Sequence, residues 1–154
     1  MTEIFPVSLV LQGLDVLVVG GGRVAERRVR SFLDANAHVT VIAPEISSWL
    51  TVRAEAKELR WIARGYEPGD ITGFWLVQAA TDSPHVNSEV AKAAHEARVF
   101  CFTGGDPANS TAWRPAITHF KGHAIAVSGG GSAREAIATR NELAQLVRTH
   151  EELT

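Results

Sequence analysis

At 154 residues the chain is long enough for one full domain with a buried core and a short appendage. Its 45% hydrophobic and 21% charged residues are ordinary for a globular protein, and a net charge of −2 excludes the strongly basic balance of nucleic-acid or membrane-surface binders. A single cysteine, Cys101, excludes an internal disulfide and a multi-cysteine zinc site.

The opening residues, Met1 to Pro6, lack a basic region followed by a long apolar stretch, so no signal peptide is expected. No segment approaches the ~20 apolar residues that span a bilayer, and the expected location is the cytoplasm. Leu14 to Val19 is apolar except for Asp15 and runs straight into glycines, as a strand buried on both faces does. From Arg23 to Ala35, the residues Ala25, Val29, Phe32 and Leu33 fall on one helical face. Arg27, Arg28 and Arg30 then read as a solvated face of that helix.

Val39 to Ala43 is the second strand, stopped by Pro44. A helix is expected over 45–56 and a third strand over 59–63. Phe74 to Ala80 is the fourth strand. Ser83-Pro84 opens a helix with a hydroxyl cap and a first-turn proline, and its buried face is expected at Val86, Val90, Ala93, Ala94 and Ala97. Val99 to Phe102 is the fifth strand, and Cys101 within it is expected to be buried and inert. The stretch 103–115 reads as a long irregular connection. After it come a short strand, His123 to Val127, and a last helix opened by a capping box of Ser132 and Glu135. That helix carries its apolar line at Ala136, Leu143 and Val147, and the tail is too short to hold a core of its own.

The turn Gly20-Gly21-Gly22-Arg23-Val24-Ala25 is G-x-G-x-x-A set between a buried strand and an amphipathic helix. Gly20 permits the tight turn, Gly22 lets a pyrophosphate approach the backbone, and Ala25 lets the helix lie close on the strand. The helix N-terminus offers free N–H groups and a partial positive charge. The fold expected is α/β, a Rossmann doubly wound parallel sheet of order 3-2-1-4-5 that binds a dinucleotide where the order reverses. Ala80, Thr81 and Asp82, at the end of strand four, lie at that point; Thr81 and Asp82 equally suit the opening of the next helix. The tip of strand two is Ala43-Pro44-Glu45, so the acid that would meet a ribose arrives late. Glu45 either reaches that ribose or sits in the next helix. Arg23 suits a 2′-phosphate or plain solvent exposure. NAD is favoured over NADP.

Several segments together resemble the precorrin-2 dehydrogenase domain of siroheme synthases: Val16 to Arg28, Val39 to Glu45, Ala79 to Asp82 with Val86-Asn87, and Ala126 to Gly130. The resemblance implies NAD-dependent oxidation of precorrin-2 to sirohydrochlorin, with iron insertion in some members. It implies residues 1–112 as the NAD-binding domain, 113–154 as a dimerisation segment of a homodimer, and fusion to, or association with, a methyltransferase. Neither nucleic acid nor membrane is an expected partner. The family carries an acid where this chain has Gly105, leaving Asp106 as the candidate proton acceptor and putting iron insertion in question. No grouping of His, Asp and Glu has metal-ligand spacing. For the carboxylates of a tetrapyrrole, Arg114 and the turn Ser128-Gly129-Gly130 are the candidate donors. Two other readings use the same residues: a non-catalytic NAD-binding scaffold beside a methyltransferase, and an NAD-sensing regulatory domain.

Overall fold

The computed structural model describes residues 4–104, 106–129 and 132–152. They fall into two compact units, one of Leu9–Ala112 and one of 4–8 with the described part of 113–152.

In the first unit five parallel strands form one sheet in the order β3-β2-β1-β4-β5. The strands are β1 (Asp15–Val19), β2 (His38–Ile42), β3 (Arg60–Ile62), β4 (Leu76–Ala79) and β5 (Phe100–Thr103). Val16 to Val19 are at most 1% exposed because β1 is central and covered on both faces, which is why its apolar run shows no alternation. The helices are α1 (Arg23–Asp34), α2 (Ser48–Glu55) and α3 (Pro84–Ala97). Ala25, Val29 and Phe32 of α1 meet Val16, Val18, Val39 and Val41 and form one half of the core. Leu17, Val19, Val77 and Cys101 meet Val90, Ala91 and Ala94 of α3 in the other half. Cys101 is fully buried, and burial pushes its thiol up to about 11, so it stays protonated and unreactive at neutral pH.

The expected order of strands is the observed one. Three local expectations are corrected. The second helix starts at Ser48 rather than residue 45, because the backbone of Glu45 and Ile46 packs against Gly21 instead. The Ser47 N–H donates to the Gly21 carbonyl at 2.9 Å, and the Ser47 hydroxyl caps the Leu50 N–H. On α3 the buried place expected for Ala97 belongs to Ala91, while Ala97 is exposed. Arg28 of α1 is half-buried, not solvated with Arg27 and Arg30.

The second unit holds β6 (Ala116–Phe120), β7 (His123–Val127) and α4 (Ala133–Glu152), with α4 packed on both strands of an antiparallel hairpin. The hairpin replaces the single strand expected here. Its turn is Lys121-Gly122 with both φ values positive, +46° and +79°, the geometry of a type I′ turn, and lysine is an unusual first residue for it. The capping box is formed: the Ser132 N–H donates to Glu135 Oε2 at 2.6 Å, and the Glu135 N–H to Ser132 Oγ at 3.3 Å. The half-buried line of α4 runs through Ala136, Arg140, Ala144 and Val147, and the Arg140 guanidinium donates to the Ile117 carbonyl at 2.9 Å. Leu143, expected on that line, is 37% exposed. No described side chain of this unit is fully buried.

Candidate functional site

A cleft of about 1080 Å³ opens over the carboxyl ends of β1, β2 and β4, all of it within the first unit. Its floor is the glycine turn. Gly20 has φ +123°, and a Cβ there would lie 2.3 Å from the Ala80 carbonyl oxygen, so only glycine lets β1 leave the sheet this close to β4. A Cβ on Gly21 would lie 2.0 Å from the Glu45 carbonyl oxygen. Gly22 is different: nothing stands within 4 Å of the Cβ it lacks. That open space faces the first turn of α1, whose N-cap is Gly22 with no side-chain hydrogen bond. The first-turn N–H groups point into it with the positive end of the helix dipole. The cradle therefore fits a pyrophosphate, and the residues around it fit a dinucleotide.

Of the residues expected to hold the cofactor, Gly20, Gly22, Arg23, Val24, Ala43, Pro44, Glu45, Ala80, Thr81 and Asp82 all line the cleft. Ala25 does not line it; fully buried, it seats α1 on the sheet. Asp106 is also absent from the lining. Its carboxylate accepts the Asn109 N–H at 3.3 Å and Asn109 Nδ2 at 2.6 Å, which closes a 3₁₀ turn over Pro107–Asn109. Arg114, Ser128 and Gly129 belong to the second unit, and Gly105 and Gly130 lie outside the described residues. Among the described residues no three His, Cys, Asp or Glu side chains gather as a metal site, and no helix is long and apolar enough to cross a membrane.

Four contributors were not foreseen from sequence. Asn87 holds the loop after β4: its Oδ1 accepts the Thr81 N–H at 3.1 Å and the Thr81 hydroxyl at 2.8 Å, and its Nδ2 donates to the Thr81 carbonyl at 3.0 Å. The loop it locks is the one against which Gly20 sits. Asn87→Ala is expected to weaken dinucleotide binding about tenfold, since these bonds order the cleft wall, with Asn87→Asp intermediate because it keeps both acceptor bonds. An NADH titration of the folded variants checks this. Tyr66 lines the cleft with a buried hydroxyl that has no hydrogen-bond partner among the described residues, and burial, followed by the charges of Asp70, Glu89 and Cys101, raises its pKa. Arg27 and Arg28 also line the cleft. Glu26, the acid beside them, is turned away. It accepts the Ser47 hydroxyl at 2.6 Å and pairs with Arg30 at 2.7 Å, and these bonds, Ser47's foremost, hold its carboxyl below the usual range.

A family model for NAD(P)-binding domains matches residues 7–116. The chain belongs to that NAD(P)-binding family. This NAD(P)-binding chain is 40% identical over 131 residues to siroheme synthase 3 of Aeromonas hydrophila, covering 85% of this chain and 28% of the relative. Siroheme synthase 2 of Yersinia enterocolitica is 40% identical over the same shares. The chain thus spans little more than a quarter of the length of these curated relatives. Among solved structures, SirC, precorrin-2 dehydrogenase, superposes with a TM-score of 0.78 over 92% of this chain and 70% of its own, at 24% identity. That likeness shows the same Rossmann-type fold.

Proposed function

We propose that the chain carries out the NAD-dependent oxidation of precorrin-2 to sirohydrochlorin. The observation that carries the reading is the glycine cradle at the mouth of α1, in a chain similar to siroheme synthases along 85% of its length. The reaction moves two electrons and a proton as hydride from the reduced macrocycle to NAD and releases a second proton. Bound NAD supplies the hydride acceptor. The chain's own residues orient and hold it: Gly20 and Ala80 set the depth of the cleft, Gly22 admits the pyrophosphate, and Asn87 fixes the wall at Thr81. Glu45, the acid at the tip of β2 in the cleft lining, favours the unphosphorylated ribose of NAD over that of NADP.

Asp106 and Asp82 compete as proton acceptor. Asp106 follows cleft-lining Gly104 by two residues, with its carboxylate committed to Asn109. Asp82 lines the cleft itself, and no described residue hydrogen-bonds its side chain. Iron insertion is left out of the proposal, because Gly105 stands where the family has its acid. Residues 113–154 are read as the dimerisation segment of a homodimer, and a methyltransferase as the fused or associated partner.

The test is anaerobic turnover of precorrin-2, followed by the sirohydrochlorin spectrum with NAD and with NADP. Turnover is expected with NAD, and its collapse on Asp106→Ala or on Asp82→Asn assigns the acceptor. A chain that binds NADH yet turns over nothing is the non-catalytic scaffold instead, a reading favoured by the commitment of Asp106 to its turn.

A further inference from the structure

Three arginines of α1, Arg23, Arg27 and Arg28, line the cleft, and none makes an ion pair or hydrogen bond among the described residues. Glu26 lies between them in sequence, yet its carboxylate is spent on Arg30 and Ser47 at the α2 side. Arg53 is paired with Glu58, and Arg64 with Asp70. Arg30 further stacks on Trp49 at 3.8 Å from the ring centroid. The cationic side chains outside the cleft thus include several that the fold has satisfied, whereas those inside it are left open.

Arg28 is the sharpest case. It is half-buried, its Nε is out of contact with solvent, and that N–H has no partner among the described residues. Burial first and the neighbouring Arg27 second depress its pKa, so both features oppose holding a charge there in the free protein. A guanidinium kept in that position costs stability unless an anion completes it. The dinucleotide accounts for only part of this charge. Its pyrophosphate carries two negative charges and meets the free N–H groups at Gly22 together with Arg23, the first residue of the helix. Arg27 and Arg28 stand about one turn beyond Arg23 along α1, about 6–7.5 Å up the axis at 1.5 Å per residue.

We infer that Arg27 and Arg28 form a second anion site in the cleft, which takes a carboxylate of a polycarboxylate substrate lying beside the dinucleotide. The inference rests on the tetrapyrrole reading for the identity of the substrate but not for the chemistry of the site. A planar guanidinium offers a carboxylate two parallel bonds through its terminal nitrogens, which an ammonium does not.

The full chain is titrated with three probes: NADH, mellitate (a compact benzene hexacarboxylate) and uroporphyrin III (a macrocycle with eight carboxylates). Arg28→Gln and Arg27→Gln are expected to weaken binding of both polycarboxylates about tenfold, the worth of one charge-assisted hydrogen bond, and to leave NADH binding unchanged. Arg28→Lys is expected to recover part of the loss. Arg60→Gln, on exposed β3 and outside the cleft lining, should change nothing. The Tm of Arg28→Gln should hold or rise, because an unpaired half-buried charge is removed. NADH binding that falls with unaltered polycarboxylate binding overturns the inference and gives the arginines to the dinucleotide. Mellitate bound through Arg28 without uroporphyrin binding keeps the anion site and sinks the tetrapyrrole reading. Uroporphyrin bound equally by every variant does the reverse.

Discussion

Gly20→Ala is expected to abolish dinucleotide binding and to cost much of the stability of the fold. The added Cβ would lie 2.3 Å from the Ala80 carbonyl oxygen and 2.6 Å from its carbon, both backbone atoms that no side-chain rotation can move. Relief requires β1 to part from β4, where the Ala80 N–H donates to the Val19 carbonyl at 2.8 Å, and strains its hold on β2, where the Gly20 N–H donates to the Ile42 carbonyl at 2.9 Å. A φ of +123° adds strain for any residue with a Cβ. Overpacking and backbone strain at about 1–3 kcal/mol each sum to about 2–6 kcal/mol, set against a total of about 5–15 kcal/mol for a domain. Thermal unfolding followed by circular dichroism checks the stability, and an NADH titration the binding. Gly65→Ala is the control: it has open space around its missing Cβ and no positive φ, so its stability should stay within about 0.5 kcal/mol of the parent. Equal melting of Gly20→Ala and Gly65→Ala would show that the β1–β4 contact tolerates a methyl group.

The parts of this structure legible in the sequence are those governed by local chemistry. Val16 to Val19 is apolar at every position because β1 is covered on both sides, and the glycines follow at once. The caps at Ser83 and Ser132 were equally plain, since each lies beside its own acceptor and donor in the chain. What was hidden depends on residues far apart. Nothing local in Glu45-Ile46 says that their backbone must pack against Gly21 and so delay α2 until Ser48. The hairpin at Lys121-Gly122 carries no sequence signal because its first left-handed position is a lysine, where asparagine or glycine is usual. Arg28 shows the same limit at the site. Its position beside Arg27 and Arg30 suggests a solvated face, and only the folded cleft separates the half-buried member from the exposed ones. Asp106, the expected proton acceptor, instead has its carboxylate held in a turn by Asn109, three residues on.

Gly22→Asp separates stability from function, because the two should move in opposite directions. Gly22 caps α1 in an extended conformation, φ −83° and ψ −169°, that any residue adopts, and nothing lies within 4 Å of the position its Cβ would take. An aspartate there gains what the native helix lacks, a side-chain oxygen for the first-turn N–H groups and a negative charge at the positive end of the dipole. The expected gain is about 0.5–1 kcal/mol, read as a higher Tm. The same carboxylate occupies the donors that the pyrophosphate needs and repels it. NADH binding should therefore fall about a hundredfold, through one lost charge-assisted hydrogen bond of about 1.5–3 kcal/mol and like-charge repulsion. Gly22→Ala, which adds bulk without charge, should fall between the two. Measuring Tm and NADH affinity on the same samples decides the matter. A variant with raised Tm and lost binding places the pyrophosphate at the mouth of α1, whereas a variant that binds NADH as tightly as the parent moves the phosphate site elsewhere in the cleft. A glycine N-cap gives up about a few tenths of a kcal/mol in the free protein, and a phosphate held by the first-turn N–H groups would offset that loss.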